Sequence, residues 1–368
     1  LSFLADYISR RKLMTEQNQK SFYCSLPKVP ERVFTEDVNP RRAREIIILA
    51  NKWVNGTVLH YYFFDEPAEW TTHEGEKNLV RKAFDVWKSL GIGLQFQEVN
   101  SISEAEIRIG FLRGNGAWSY VGTDILDPNI TGGQGERTMN FGWDITQDPR
   151  REYVAVHEIG HTLGFPHEHQ NPNAGIVWNE EAVYAYFADP PNNWKRETTY
   201  WNIIRKINPD EVQGSNWDAN SVMHYAFAAG LIQDPAQYRN GLQPAGGLSE
   251  RDQTWVKKFY PPLTEKDYAP LKPFQSVTLS IAPGEQMNFT IQPEATRYYD
   301  IRTFGTSDTV MVLFEDDNGN PRYLTADDDS GEDTNASLRV KLLKGRKYIL
   351  RIRLYYSDRS GETAVMMW

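Results

Sequence analysis

Residues 154–169 read "VAVHEIGHTLGFPHEH" and hold four of the chain's seven histidines. On a helix, positions i and i+4 lie about 40° apart, so His157 and His161 leave one face a turn apart. Two imidazoles so placed reach a single Zn2+ at about 2.0–2.1 Å. Glu158 is next in sequence but points aside, suited to a water rather than to the metal. Gly164 can take a positive φ and stop the helix, and the chain then returns His167 toward the metal from a second direction. Three neutral imidazoles leave one tetrahedral position open, the pattern of a catalytic rather than a structural zinc. The competing reading is an exposed helix with coincidental histidines. The short pattern alone leaves that reading standing, and the added Gly164 and His167 favour one zinc ion. His169, two residues beyond His167, is expected to point elsewhere.

The rest of the chain divides around this helix. A length of 368 residues suggests two domains. Residues 1–50 form a polar N-terminal segment with a helix expected over "RRAREIIILANKW". Residues 51–260 mix strand and helix patterns: "TVLHYYFF", "AEIRIGF" and "ERTMNFGWDI" read as strands, "EKNLVRKAFDVWKSLG" and "SERDQTWVKKFY" as helices. The proline-rich stretch 261–273 reads as a linker. Residues 274–368 carry short strand patterns only, from "SVTLSIA" to "KYILRIRLYY", and suggest an all-β sandwich. The formal charge of −9 argues against nucleic acid as partner. No apolar run approaches the roughly 20 residues that span a bilayer. "LSFLADYISRRKLMTEQNQK" is too interrupted by charge for a signal peptide, so any such peptide is expected to be absent from this chain.

With these residues in view, the sequence resembles the metzincin zinc endopeptidases, and within them the astacin-like branch. The carriers are "HEIGHTLGFPHE", with Glu168 directly after the third histidine, and "SVMHY" at 221–225, which looks like the Met-turn. "WSYVGT" and "GGQGERTMNFG" resemble the segments leading to the substrate-binding strand. The resemblance covers about residues 53–260. It implies a twisted mixed sheet plus an active-site helix, in an α+β catalytic domain. It implies that His157, His161 and His167 bind zinc and that Glu158 serves as general base and then acid on the attacking water. Met223 would floor the site, Tyr225 would stabilise the oxyanion, and Glu168 would pair with a new N-terminus after activation. Thr138, Met139, Asn140 and Phe141 would hold an extended polypeptide by strand addition. Astacins usually have disulfides, and a chain with one cysteine forms none within itself.

That cysteine is Cys24, in "FYCSLPKVP". A thiolate is a strong zinc ligand, and a Cys-x-x-Pro before the catalytic domain resembles the cysteine-switch propeptides of other metzincins. Residues 1–50 are therefore expected to be an inhibitory pro-segment with Cys24 on the zinc. Astacin propeptides use an aspartate instead, and Asp37 is the alternative. An inert free thiol is the third reading.

Residues 274–368 resemble bacterial pre-peptidase C-terminal domains, which accompany secreted proteases. Asp327, Asp328, Asp329 and Glu332 could hold Ca2+ through oxygen ligands, although an acidic solvated loop is the commoner meaning of such a run. The expectation is a secreted, monomeric endopeptidase acting on polypeptides. The rivals are a non-catalytic zinc-containing adhesin, which has no need of Glu158, and a zinc amidase of small substrates.

Overall fold

The computed structural model describes residues 22–29, 52–53, 55–207, 216–262, 268–317, 320–356 and 359–368. Most of the segment 1–50, with Asp37 and most of its expected helix, lies outside the described residues.

The first region is built on strands β1 (Val58–Phe63), β2 (Gln95–Glu98), β3 (Ile107–Gly110), β4 (Trp118–Ser119) and β5 (Met139–Asn140), in the order β2-β1-β3-β5-β4. All neighbours run parallel except β4, which adds antiparallel to β5 at one edge. Helix α1 (Glu74–Lys88) buries Leu79, Val80, Ala83, Phe84 and Trp87, the i, i+3, i+4 stripe of an amphipathic helix. After the short α2 (Pro128–Thr131) comes α3 (Glu152–Thr162), which is buried on every side from Val154 onward. A helix buried all round is a central element, and α1 packs directly on it: Trp87 Nε1 donates to Val156 O at 3.0 Å. Both helices share one core with β1, β3 and β5.

Further on lie β6 (Val177–Trp178), α4 (Glu180–Ala188), α5 (Arg196–Thr199) continuing as a π-turn over Tyr200–Ile204, and β7 (Ile232–Asp234). They form a second core around Phe187, Ile203 and Phe227, which also takes in Tyr23 and Cys24. Helix α6 (Glu250–Phe259) starts at a reciprocal cap between Ser249 and Asp252. Asp252 also accepts Ser221 Oγ at 2.6 Å and Val222 N at 2.8 Å, so this cap fixes the turn below the histidines.

The C-terminal region is the expected β-sandwich. One sheet joins β13 (Asn320–Asp327), β12 (Thr309–Asp317), β15 (Tyr348–Leu354), β10 (Gln286–Ile291) and β8 (Ala269–Pro270); the other joins β14 (Ser337–Leu342), β11 (Arg297–Phe304), β16 (Gly361–Met367) and β9 (Val277–Ile281). Alternating burial along β9 and β11 supplies the core between them. Ala269–Pro270 pairs with β10 and Pro273 bridges to Met367, so residues expected in the linker already belong to the sandwich. At the junction Asn55 O accepts both Gln286 Nε2 at 2.8 Å and Arg351 Nη1 at 3.2 Å. Gly56, at φ +87°, leaves room there: a β-carbon on it would stand 2.6 Å from Arg351 Nη1.

The acidic run 327–332 closes a turn. Asp327 accepts Ser330 N at 3.0 Å and Ser337 N at 2.7 Å. Among the described residues this run is not one of the groups that gather ligand atoms for a cation. Among the described residues, no helix is long and apolar enough to cross a membrane.

Candidate metal centre

Helix α3 ends in a Schellman turn: Gly164, at φ +94°, donates to His161 O, and Phe165 N donates to Gly160 O. This reversal returns His167 to the face that carries His157 and His161. Together with Cys24, these three bring one ligand atom each to within 4.8 Å of one another, and all four residues are buried.

The hydrogen bonds fix which atoms face inward. His157 Nδ1 lies 2.7 Å from Val222 O and His161 Nδ1 lies 2.7 Å from Phe165 O. A carbonyl only accepts, so each Nδ1 carries the ring proton and each Nε2 presents a lone pair. These two Nε2 atoms are 3.1 Å apart. Two acceptors cannot share a hydrogen bond, and their lone pairs repel unless a cation lies between them. Burial also holds the imidazoles neutral, with His157 brought down to about 4 and His161 and His167 lowered well below the ordinary range. Neutral imidazoles are what a metal requires. The donor set fits a metal cation.

Glu158 lies beside this cluster, 1% exposed, with Oε2 3.4 Å from Cys24 Sγ. Burial raises its carboxyl to about 8. Burial, reinforced by Glu158, also raises the Cys24 thiol. Cys24 Sγ is 3.5 Å from His161 Nε2. The Tyr225 hydroxyl stands 2.6 Å from Cys24 O and 2.6 Å from His167 Nε2. Met223 is buried under the helix against Gly160. Glu168 faces away: its Oε1 accepts Asp218 N at 2.9 Å and Asn171 Nδ2 at 3.2 Å, and burial raises it to about 7. His169 Nε2 bonds Asn202 O, while its ring packs 4.6 Å from Tyr225; it supports the tyrosine from behind.

The strand expected to receive substrate is corrected. Thr138, Met139, Asn140 and Phe141 are interior, because β4 adds to β5 on the side opposite β3. Thr138 N donates to Arg108 O while Thr138 O accepts Tyr120 N, and Phe141 N donates to Gly110 O. Both sides of this backbone are therefore used. The outer strand is β4, and next to it Ala117 O accepts Ser25 N at 2.9 Å, with Cys24 bridged to Ala117 in parallel sense.

Sequence reasoning missed what holds the segment 22–29 in place. Arg150 Nη2 donates to Phe22 O at 2.9 Å, and Phe22 stacks on Trp143 at 4.5 Å. Asn192 Oδ1 accepts Tyr23 N at 3.1 Å and Asn202 Oδ1 accepts Leu26 N at 2.8 Å. The only prior signal was the pair of aromatics before Cys24. A second gathering, His73, Glu76 and Asp144, has its positive charge supplied by Arg113, which pairs with Glu76.

Residues 52–177 match the matrixin peptidase family profile. The chain is 25% identical over 210 residues to protein SpAN of Strongylocentrotus purpuratus, a match covering 54% of this chain and 28% of that protein. It is 32% identical over 144 residues to karilysin of Tannerella forsythia, covering 36% of this chain and 29% of that protein. Its fold resembles that of myroilysin at 29% identity and a TM-score of 0.51, over 59% of this chain and 98% of that one. Over this region the chain is similar to the metzincin peptidases. It spans under a third of the length of the first two of these relatives. The matching profile is the matrixin one, and the astacin-like branch is a proposal.

Proposed function

We propose that this chain is a metzincin zinc endopeptidase held latent by Cys24. The observation that carries the reading is the position of Cys24 Sγ among the ligand atoms of His157, His161 and His167. The three histidines would hold zinc, with the thiolate as fourth ligand in the latent chain. Zinc, when bound, supplies Lewis acidity toward a peptide carbonyl and an attacking water.

The chain's own residues supply the remaining steps. Glu158, buried beside the three histidines, is placed to take a proton from the attacking water and give it to the leaving amine once a bound cation offsets the burial that raises its carboxyl. The Tyr225 hydroxyl, which now meets Cys24 O at 2.6 Å, would donate to the oxygen on which charge develops. Ala117 O offers a main-chain acceptor to an extended polypeptide. Cys24 obstructs each of these functions at once: its sulfur contacts Glu158, its carbonyl engages Tyr225, and the next residue pairs with Ala117.

Glu168 after His167, and Tyr225 after Met223, support an astacin-like branch in which Glu168 receives the N-terminus freed by processing. Export from the cell belongs to the same proposal and rests on the resemblance of residues 274–368 alone. A purely structural zinc site would not need a buried carboxylate beside its ligands, which disfavours the adhesin reading.

The test is casein cleavage by the full chain with zinc, beside Cys24→Ala and Cys24→Ala/Glu158→Gln. Rapid cleavage by the first variant, little by the parent, and a loss of about 100- to 10,000-fold in the double variant are expected. Equal rates in parent and Cys24→Ala would remove the latch. No cleavage by either, even after removal of the N-terminal segment, would remove the peptidase.

A further inference from the structure

Cys24 accounts for latency but not for its neighbour. Tyr23 belongs to a short segment, yet it is only 5% exposed. Its ring sits in a cage of other rings: Phe187 at 4.8 Å, Tyr225 at 5.2 Å and Tyr186 at 6.3 Å edge-on, with Phe227 stacked at 6.4 Å. At the far end its hydroxyl donates to Ala226 O at 2.7 Å. Its backbone N–H donates to Asn192 Oδ1.

The walls of this cage come from α4 and from the chain after Met223, and so do not depend on the segment that fills it. The cage adjoins the reacting centre by one residue, because the next side chain puts its sulfur 3.4 Å from Glu158 Oε2. The grips on the segment are also general. Tyr23, Ser25 and Leu26 give their backbone N–H groups to Asn192, Ala117 and Asn202, and any extended peptide other than one with proline there can do the same.

We infer that the cage around Tyr23 is the subsite that selects tyrosine in a polypeptide substrate, at the residue flanking the scissile bond; this rests on the peptidase reading above. The segment shows the side chain for which the subsite is shaped. Ring edges facing ring faces favour an aromatic occupant over an aliphatic one. The Ala226 carbonyl then favours tyrosine over phenylalanine, since a phenyl ring leaves that part-buried acceptor without its donor. The rings that line the cage carry no carboxylate for a basic side chain, and Arg150, the cation that acts on the Tyr23 hydroxyl, is engaged by Asp148 and by Phe22 O.

The experiment uses the full chain carrying Tyr23→Ala and Cys24→Ala, loaded with zinc and cleaved after the segment so that the freed peptide, backbone grips included, can be washed away. Peptides with one cleavable bond carry Tyr, Phe, Leu, Asp or Lys at each flank in turn. At one flank, kcat/KM for Tyr is expected to exceed Phe by about fivefold and Leu by about tenfold, with Asp and Lys lowest. Cleavage without preference at either flank, or with Leu or Asp leading, overturns the subsite while leaving the peptidase intact. A second arm needs no turnover: calorimetric binding of acetyl-Phe-Tyr-Ala-Ser-Leu-amide to the same variant, against its Tyr→Phe and Tyr→Ala forms. Loss of about 100-fold for Ala and about fivefold for Phe supports the cage, and equal affinities sink it. Binding with that preference but no cleavage of any peptide would fail the peptidase reading and keep the cage as a tyrosine-binding site.

Discussion

Gly160 and Met223 meet where no β-carbon fits: one built on Gly160 would stand 2.4 Å from Met223 Sδ and 3.3 Å from Trp87 Cζ2. The floor of the histidine cluster is thus set by a missing side chain in the middle of α3. Gly160→Ala should destabilise the catalytic domain by about 1–3 kcal/mol, although alanine itself favours a helix by up to about 1 kcal/mol. Met223→Ala should relieve part of that cost, giving a favourable coupling in a double-mutant cycle followed by denaturant melts. Strict additivity of the two would show that the contact does not matter.

Glu76 is fully buried at the start of α1 and accepts Ile145 N at 3.0 Å together with both terminal nitrogens of Arg113. Glu76→Ala strands a buried N–H and half of an ion pair. Arg113, at 43% side-chain exposure, can return to water, so the cost falls at the lower end of the buried-pair range, about 3 kcal/mol. Thermal unfolding should drop by about 6–12 °C. A shift under about 1 °C would mean that the pair contributes nothing net.

Lys52 lies over Phe259 at 5.0 Å and near Tyr260 at 5.9 Å. Burial, helped by Arg353, lowers its amine from 10.5 to about 7. A lysine depressed in the fold carries its full penalty below pH 7, where it is charged in both states. That penalty fades as pH rises from 7 to 10.5, where the unfolded chain binds the extra proton. Lys52→Met should therefore raise the melting temperature at pH 6.5 and confer little at pH 10. An equal gain at both values would assign the effect to packing alone.

The outcome of the sequence reading follows from what periodicity can encode. Helix α1 is legible because Leu79, Val80, Ala83, Phe84 and Trp87 keep the helical interval. Helix α3 is legible only through its histidines, since it is buried on all sides and has no polar face to mark it. The inward-facing Thr138–Phe141 was misjudged as an edge because β4 and β5 are two residues each. Strands that short have no alternation from which to read a neighbour. β13 is hard to read for another reason: "NPRYLTAD" mixes proline and charge, the composition of an edge strand, and it pairs only with β12 in its sheet. The Tyr23 cage joins residues 163 to 204 positions apart in the chain, beyond the reach of any local pattern.

With one sulfhydryl in these 368 residues, buried at the centre, the chain carries its own clock. A thiol reagent can consume it only when the segment lifts, so the rate of modification counts openings directly. Molecules from which limited proteolysis has removed the segment fall silent to the reagent once the freed peptide, which keeps the thiol, is washed away. A single titration therefore separates sealed, breathing and released populations without a label.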